Sequence, residues 1–71
     1  MNIKRTIGNN LRKFRREHRI QQNHLAQLSG YNTSTLRKIE RGRQNVRIQT
    51  IYDLSIALKV PLTAFFEENE K

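Results

Sequence analysis

Hydroxyl and cationic side chains lie close together in the segment between residues 33 and 38. If this segment is helical, its period gathers four of them on one outer face: Thr33, Ser34, Arg37 and Lys38. Hydroxyl groups donate and accept hydrogen bonds, whereas guanidinium and ammonium groups donate to acceptor edges and to anions. Such a face suits the edges of base pairs in the major groove of DNA. The sequence therefore predicts a base-reading helix at this position.

No arrangement of residues in the sequence predicts catalysis or a metal site. The chain has no Cys, and no cluster of carboxylates accompanies His18 or His24 to complete a set of metal ligands. None of the serines has an evident base and orienting acid. We therefore expect no enzymatic activity, no metal, no other cofactor and no small-molecule ligand.

The charge of the chain is strongly positive and unevenly distributed. The 71 residues include 14 Lys and Arg against 6 Asp and Glu, which gives a net charge of +8. Residues 1–48 hold 12 of the basic and only two of the acidic side chains, so the excess lies in the first two-thirds. A surface of this kind attracts the phosphate backbone of nucleic acids. The alternative is a solvated surface that only keeps a small protein soluble.

Hydrophobic periodicity predicts an all-α fold. Apolar side chains recur every three or four residues within four segments, at about residues 3–18, 22–29, 33–41 and 48–58. Asn32 is suited to cap the third helix, and Gly30 and Gly42 are suited to end the second and the third. Pro61 suits the first turn of a short fifth helix that ends at Phe66. The prediction is a compact five-helix fold.

The length of the chain allows one domain. We expect this domain to span residues 1–66 and to be followed by a polar tail at 67–71. No apolar run approaches the roughly 20 residues of a membrane span, and no secretory signal is visible. The expectation is a soluble cytoplasmic protein without a membrane partner, located at the nucleoid when it is bound to DNA.

The second and third helices are predicted to form a tight pair. Ala26 allows close approach, Gly30 forms the turn, and apolar residues hold the pair together: Leu25, Leu28, Leu36 and Ile39. The chain resembles the lambda-repressor and Cro type of helix-turn-helix domain, also called the XRE type. The resemblance covers about residues 5–66 and rests on an ordered set: Ile7-Gly8, Leu11-Arg12, Arg15, Gln22, Leu25-Ala26, Gly30, Ile39-Glu40-Arg41-Gly42, Asn45, Thr50-Ile51, Leu54, Ala57-Leu58 and Val60.

This resemblance implies a five-helix domain that binds operator DNA as a homodimer on a pseudo-palindrome. It assigns base reading to the predicted outer face, namely Thr33, Ser34 and Arg37 with Lys38 at the border. By the same resemblance Gln22 contacts phosphate and braces a neighbouring side chain of the third helix.

Further residues take their expected roles from the same resemblance. Arg41, Arg43 and Asn45 fall in a loop that follows the phosphate backbone. Arg15 and Glu40 match a structural pair that ties the first helix to the end of the third.

Three departures from the family pattern matter. Gln21 stands where a Ser or Thr cap is common, and Lys59 stands where a Gly commonly ends the fourth helix. The second helix also lacks the acidic residues with which several family activators touch polymerase. Repression is therefore favoured over that form of activation.

The C-terminal part of the fold offers a candidate dimer interface. Ile56 lies about 140° around the fourth helix from Ile51, on a side that should otherwise be solvated. We expect a two-fold interface formed by Ile56, Leu62, Phe65 and Phe66. Apolar residues that are merely scattered on the surface are the alternative.

The leading interpretation is a sequence-specific DNA-binding transcriptional regulator, with repression favoured, similar in size to phage regulators and to controller proteins of restriction–modification systems. The alternative from another class is a protein-interaction module, such as an antitoxin or a coactivator, built on the same scaffold. Non-specific RNA binding is disfavoured because aromatic residues for base stacking are scarce.

Overall fold

The computed structural model describes residues 1–68 and shows an all-helical chain over that range, which confirms the predicted fold class. The elements are α1 (Ile3–Glu17), α2 (Gln22–Ser29), α3 (Thr33–Glu40), α4 (Ile48–Leu58) and a 3₁₀ helix (Leu62–Phe66). None of the helices in this range is long and apolar enough to cross a membrane. Of the predicted polar tail, residues 69–71 lie outside the described residues.

The predicted fifth α-helix is instead a 3₁₀ helix, so the described chain has four α-helices and not five. The amide of Ala64 donates to the carbonyl of Pro61 at 3.0 Å, which is an i to i+3 bond. The chain turns extended again at Glu67, and five residues are typical of the short runs in which 3₁₀ geometry occurs. Pro61 precedes the helix as its cap residue and does not occupy its first turn.

The turn between α2 and α3 is formed by local interactions that the sequence predicts. Gly30 ends α2 with a φ of 83°, in the left-handed region that glycine adopts without a steric penalty. The side-chain oxygen of Asn32 then accepts a hydrogen bond from the amide of Thr35 at 2.8 Å, which caps α3. Gln21 makes no such bond at the start of α2. These interactions fix where α3 begins.

The core is an apolar cluster to which every helix contributes. Its fully buried members include Leu11, Leu25, Leu36, Leu54 and Phe65. The rings of Phe14 and Phe65 meet edge to face, with centroids 5.3 Å apart. The last helix therefore completes the core that positions α3.

Several apolar residues placed by periodicity on buried faces are exposed instead. Leu28, expected to hold α2 against α3, is exposed, and Leu25 and Ala26 make the buried face of α2. Ile3 and Ile48 lie at the first residues of α1 and α4, and both are exposed as well. Helical period alone therefore does not show which apolar residues are buried.

A buried amide attaches the 3₁₀ helix to α1. The Nδ2 of Asn10 donates to the carbonyl oxygens of Phe65 and Glu67, both at 2.8 Å. Asn10 is buried, and so is the ring of Phe65, with 0% of its surface exposed. The expectation that Phe65 contributes to a dimer interface is therefore wrong, because its side chain is used entirely within the domain.

Lys59 ends α4 in a left-handed conformation, with φ 58° and ψ 41°, where the family pattern has glycine. A side chain with a Cβ is strained there by about 1–2 kcal/mol, whereas glycine is not. We predict that Lys59→Gly raises the free energy of unfolding by about 0.5–1 kcal/mol in urea titrations, after the entropic cost of glycine is subtracted. Lys59→Ala removes the same charge but keeps the Cβ, so an equal gain from alanine would contradict this explanation.

Candidate nucleic-acid interface

The outer face of α3, formed by Thr33, Ser34, Arg37 and Lys38, points away from the core. Ser34, Arg37 and Lys38 are exposed and Thr33 is half-buried. The opposite face of α3 is buried through Leu36 and Ile39 and packs on α1 and α2. The structure thus places the four predicted base-reading residues together on an accessible ridge that rests on the core.

A cleft of about 460 Å³ lies between the start of α2 and the start of α3. Gln22 and Thr33 both line it, together with Arg15, Gln21 and Asn23. The Nε2 of Gln22 also donates to Oε1 of Glu40 at 3.2 Å. Gln22 is therefore held by the end of α3 while it stands beside the beginning of the same helix.

A second cleft of about 400 Å³, here called the basic cleft, is lined by residues of α1, the start of α2 and the C-terminal part of α3. Its lining consists of Arg12, Arg15, Arg16, Gln22, Arg37, Glu40 and Arg41. Two predicted site residues, Arg37 and Arg41, therefore share one surface with Gln22. Arg12 and Arg16 are additional residues of this cleft that were not predicted from the sequence, although their spacing of four residues on α1 places them on the same helix face.

Glu40 is the central acceptor of the basic cleft, and its side chain is only 1% exposed. Arg15 donates to both carboxylate oxygens, from Nε to Oε2 at 2.6 Å and from NH2 to Oε1 at 3.1 Å. Arg15 also donates to the carbonyl of Ile20 at 3.0 Å. Arg12 lies farther away, with 3.5 Å between its Nε and Oε1 of Glu40. The expected pair of Arg15 and Glu40 is thus a bidentate ion pair that joins α1 to the end of α3.

The surroundings of Glu40 keep it ionised. Burial opposes ionisation, but hydrogen bonds from Arg15 and Gln22 and the charge of Arg15 outweigh burial, so the pKa of Glu40 lies below its ordinary value of 4.5. The hydrogen bond to Glu40 likewise raises the pKa of Arg15. At neutral pH both partners are therefore charged.

The lowered pKa of Glu40 predicts a dependence of stability on pH. Its contribution to the free energy of unfolding is fully present above pH 4.5 and is lost as the pH falls through the lower pKa of the folded state. Urea unfolding from about pH 7 to about pH 3 measures this loss. Glu40→Gln should flatten the acid branch of the curve, whereas Glu17→Gln, at an exposed carboxylate, should not. Equal curves for the two variants would contradict the prediction.

The loop after α3 contains the three residues that are predicted to follow the phosphate backbone of DNA, and two of them line different clefts. Arg41, Arg43 and Asn45 are all exposed. Arg41 lines the basic cleft, whereas Asn45 lines a cleft of about 350 Å³ on the other side of α3. Thr35 and Arg47, which the sequence analysis did not assign to the site, line that third cleft with Asn45. Clefts therefore flank the outer face of α3 on both sides, one lined mainly by charged side chains and the other by a mixture of polar and apolar ones.

The apolar residues proposed for the dimer interface differ in their exposure. Ile56 is 59% exposed, while Leu62 and Phe66 are half-buried and pack against the core. Ile56 continues a row with Ile48 and Tyr52, which are 61% and 49% exposed. The spacing of four places these three side chains on one side of α4. We call Ile48, Tyr52 and Ile56 the apolar stripe; of these three residues, only Ile56 belongs to the predicted dimer interface.

Comparison with known protein sequences gives a consistent result. Residues 11–65 match the helix-turn-helix family HTH_3. The uncharacterized HTH-type transcriptional regulator y4dJ of Sinorhizobium fredii is 35% identical over 60 residues, which are 84% of this chain and 78% of that protein. The control protein C.SmaI of Serratia marcescens is 33% identical over 58 residues, which are 82% of this chain and 69% of that protein.

Solved structures agree with the sequence matches. The restriction-modification controller protein C.AhdI from Aeromonas hydrophila has a TM-score of 0.85 and 33% identity, over 89% of this chain and 91% of that one. An HTH_3 family transcriptional regulator from Vibrio cholerae has a TM-score of 0.86 and 29% identity over 93% of this chain. This chain spans only 38% of the length of the Vibrio regulator.

Proposed function

Because the chain belongs to the HTH_3 family of helix-turn-helix proteins, as the sequence resemblance indicated, we propose that it is a sequence-specific DNA-binding transcriptional regulator. The observation that carries this proposal is the outer face of α3, where Ser34, Arg37 and Lys38 are exposed on a helix held by the core and by Glu40. Hydroxyl and guanidinium groups at these positions can donate to base edges in a major groove. In this proposal α3 is the recognition helix.

Binding would proceed through two kinds of contact. Exposed cations around the recognition helix neutralise phosphates and release counterions, which supplies affinity without sequence preference. Arg41, Arg43 and Asn45 in the loop, with Gln22 beside the basic cleft, are the proposed phosphate contacts. Thr33, Ser34, Arg37 and Lys38 then discriminate between bases. The clefts on both sides of α3 lie beside this exposed outer face.

The proposed regulator acts as a homodimer on a pseudo-palindromic operator. The apolar stripe on α4, flanked by Leu62 and Phe66, is the proposed contact with a second copy. A two-fold interface places the two recognition helices about one DNA turn apart, roughly 34–36 Å. An interface on α4 leaves the outer face of α3 free for the duplex.

We propose repression as the mode of regulation. The outer surface of α2 carries no acidic side chain of the kind with which family activators touch polymerase. A repressor needs only to occupy its operator, which the proposed DNA contacts are sufficient to do.

The apolar stripe also supports a second candidate function, that of a protein-interaction module that binds another protein through α4. The two candidates differ in their DNA binding. A module of this kind would bind all duplexes with similar, weak affinity, whereas the proposed regulator prefers one sequence.

Substitutions of two exposed arginines test the division between base and phosphate contacts. We predict that Arg37→Ala weakens binding to the preferred duplex by about 1–3 kcal/mol and has a smaller effect on a scrambled duplex. Arg43→Ala, the matched control, should weaken binding to both duplexes alike and reduce the slope of log affinity against log salt by about 1. Fluorescence titrations with labelled duplexes measure both effects. Equal losses on both duplexes for Arg37→Ala would reject its base-reading role.

A further inference from the structure

A short hydrogen bond joins the turn before α3 to α4. Tyr31 lies between Gly30, which ends α2, and Asn32, which caps α3. Its hydroxyl donates to Oδ2 of Asp53 at 2.6 Å, and the Nε2 of Gln49 donates to Oδ1 at 2.9 Å. The hydrogen bond from Tyr31, and to a smaller extent the one from Gln49, lowers the pKa of Asp53 below its ordinary value of 3.8. The acceptor is therefore charged at neutral pH, which strengthens the bond from Tyr31.

This bond links two helices that share only α2 among their main packing partners. α3 packs mainly on α1 and α2, whereas α4 packs on α2 and on the 3₁₀ helix. The half-buried ring of Tyr31 packs against the core, and its hydroxyl binds the side chain of Asp53 on α4. The first turn of α3 is thus attached to α4 through the side chain of Tyr31 as well as through α2.

Asp53 also lies beside the surface proposed for the second copy. It directly follows Tyr52 and precedes Ile56 by three residues, so its row on α4 adjoins the apolar stripe. In a dimer joined through α4, the position of each α3 relative to its own α4 sets the distance between the two recognition helices. That distance must match the separation of the two half-sites on the duplex.

We propose that Tyr31 and Asp53 are positioning residues that fix α3 relative to α4 and thereby determine which half-site spacing the dimer accepts. They act through the recognition helix and contact no base. This inference rests on the proposed function and adds to it the residues that determine spacing. A hydrogen bond to a charged acceptor contributes enough to change a binding ratio by about tenfold.

Tyr31→Phe tests the inference because it removes the hydroxyl and keeps the ring. Its affinity is measured for a single half-site and for duplexes whose half-sites are moved together or apart by one and two base pairs. The unmodified chain should prefer one spacing. Tyr31→Phe should reduce that preference by about tenfold while its affinity for the single half-site stays within about twofold.

Three further variants make the result specific. Asp53→Ala should have the same effect as Tyr31→Phe, and the double variant should lose no more than either single variant. Ser29→Ala is the matched control, because it removes a hydroxyl whose 2.8 Å bond to the carbonyl of Leu25 stays within α2. We expect Ser29→Ala to keep the spacing preference.

The outcomes separate this inference from the proposed function. An unchanged spacing preference in Tyr31→Phe overturns the inference alone, and so does an equal loss of affinity for every duplex and for the single half-site. If the unmodified chain prefers no sequence at all, the proposed function fails and the inference fails with it.

Discussion

Replacing Glu40 with alanine is expected to reduce the free energy of unfolding by about 3 kcal/mol, at the lower end of the cost of breaking a buried pair, because it leaves the half-buried Arg15 without its anion. The side chain of Arg15 is only 14% exposed, so water cannot replace the carboxylate fully. Gln22 loses an acceptor in the same substitution. Thermal unfolding should show a melting temperature lowered by at least about 12 °C.

Two comparisons show whether an uncompensated charge is the cause. Arg12 also approaches Glu40, but its side chain is 40% exposed and its Nε lies 3.5 Å away, so Arg12→Ala should cost less than about 1 kcal/mol. Replacing Arg15 by Met and Glu40 by Leu together should recover part of the loss, because no charge is then left buried. A loss below about 1 kcal/mol for Glu40→Ala would show that the basic cleft solvates Arg15.

Gly8→Ala is expected to destabilise the domain by about 3 kcal/mol, although alanine is the better helix former. A Cβ at Gly8 would collide with the carbonyl oxygen of Ile39 and would lie 3.0 Å from that of Glu40. Both obstacles are backbone atoms of α3, so they cannot rotate away, and α1 must shift from the end of the recognition helix. Chemical denaturation of the variant measures the loss.

Gly30→Ala separates this collision from the ordinary cost of replacing a glycine. Nothing lies within 4 Å of a Cβ at Gly30, so only the backbone strain at φ 83° remains, at about 1 kcal/mol. Helix propensity alone predicts that Gly8→Ala stabilises the chain by about 1 kcal/mol. A gain in stability would therefore contradict the close approach of α1 and α3.

Local signals in the sequence were sufficient for most of the helices. The cap at Asn32 and the left-handed Gly30 each depend on a few neighbouring residues, and the structure has them as expected. The last helix was assigned the wrong type because Pro61 and an apolar run are equally compatible with α and 3₁₀ geometry.

Long-range contacts could not be predicted in the same way. Periodicity shows that Leu28 and Ile48 lie on apolar faces, but it does not show where the neighbouring helix ends, so their exposure was missed. Residues 65 and 66 are both Phe, so residue type does not show which of the two side chains is buried. The structure shows that Phe65 packs against Phe14. Asn10 is a polar residue on the buried face of α1. A polar residue at such a position is a signal that could have predicted a buried hydrogen bond.

In the candidate site, too, the residues on one helix face could be predicted from the sequence, whereas contacts between distant residues could not. The outer face of α3 followed from the helical period, and the pair of Arg15 and Glu40 was expected only from the resemblance to the family. The bond from Tyr31 to Asp53 spans 22 residues and depends on how the turn and α4 are placed, so no local pattern indicated it. Positions on a helix face can be predicted from sequence, whereas partners across the fold require the structure.

Selection of duplexes from a random-sequence pool by the purified chain tests most directly whether the outer face of α3 reads bases. We predict that the enriched duplexes share a motif of two symmetry-related half-sites, with centres roughly 34–36 Å apart. The same selection with Arg37→Ala should lose one base preference in each half-site and keep the others. Enriched duplexes without a common motif, or an unchanged motif for Arg37→Ala, would contradict the account.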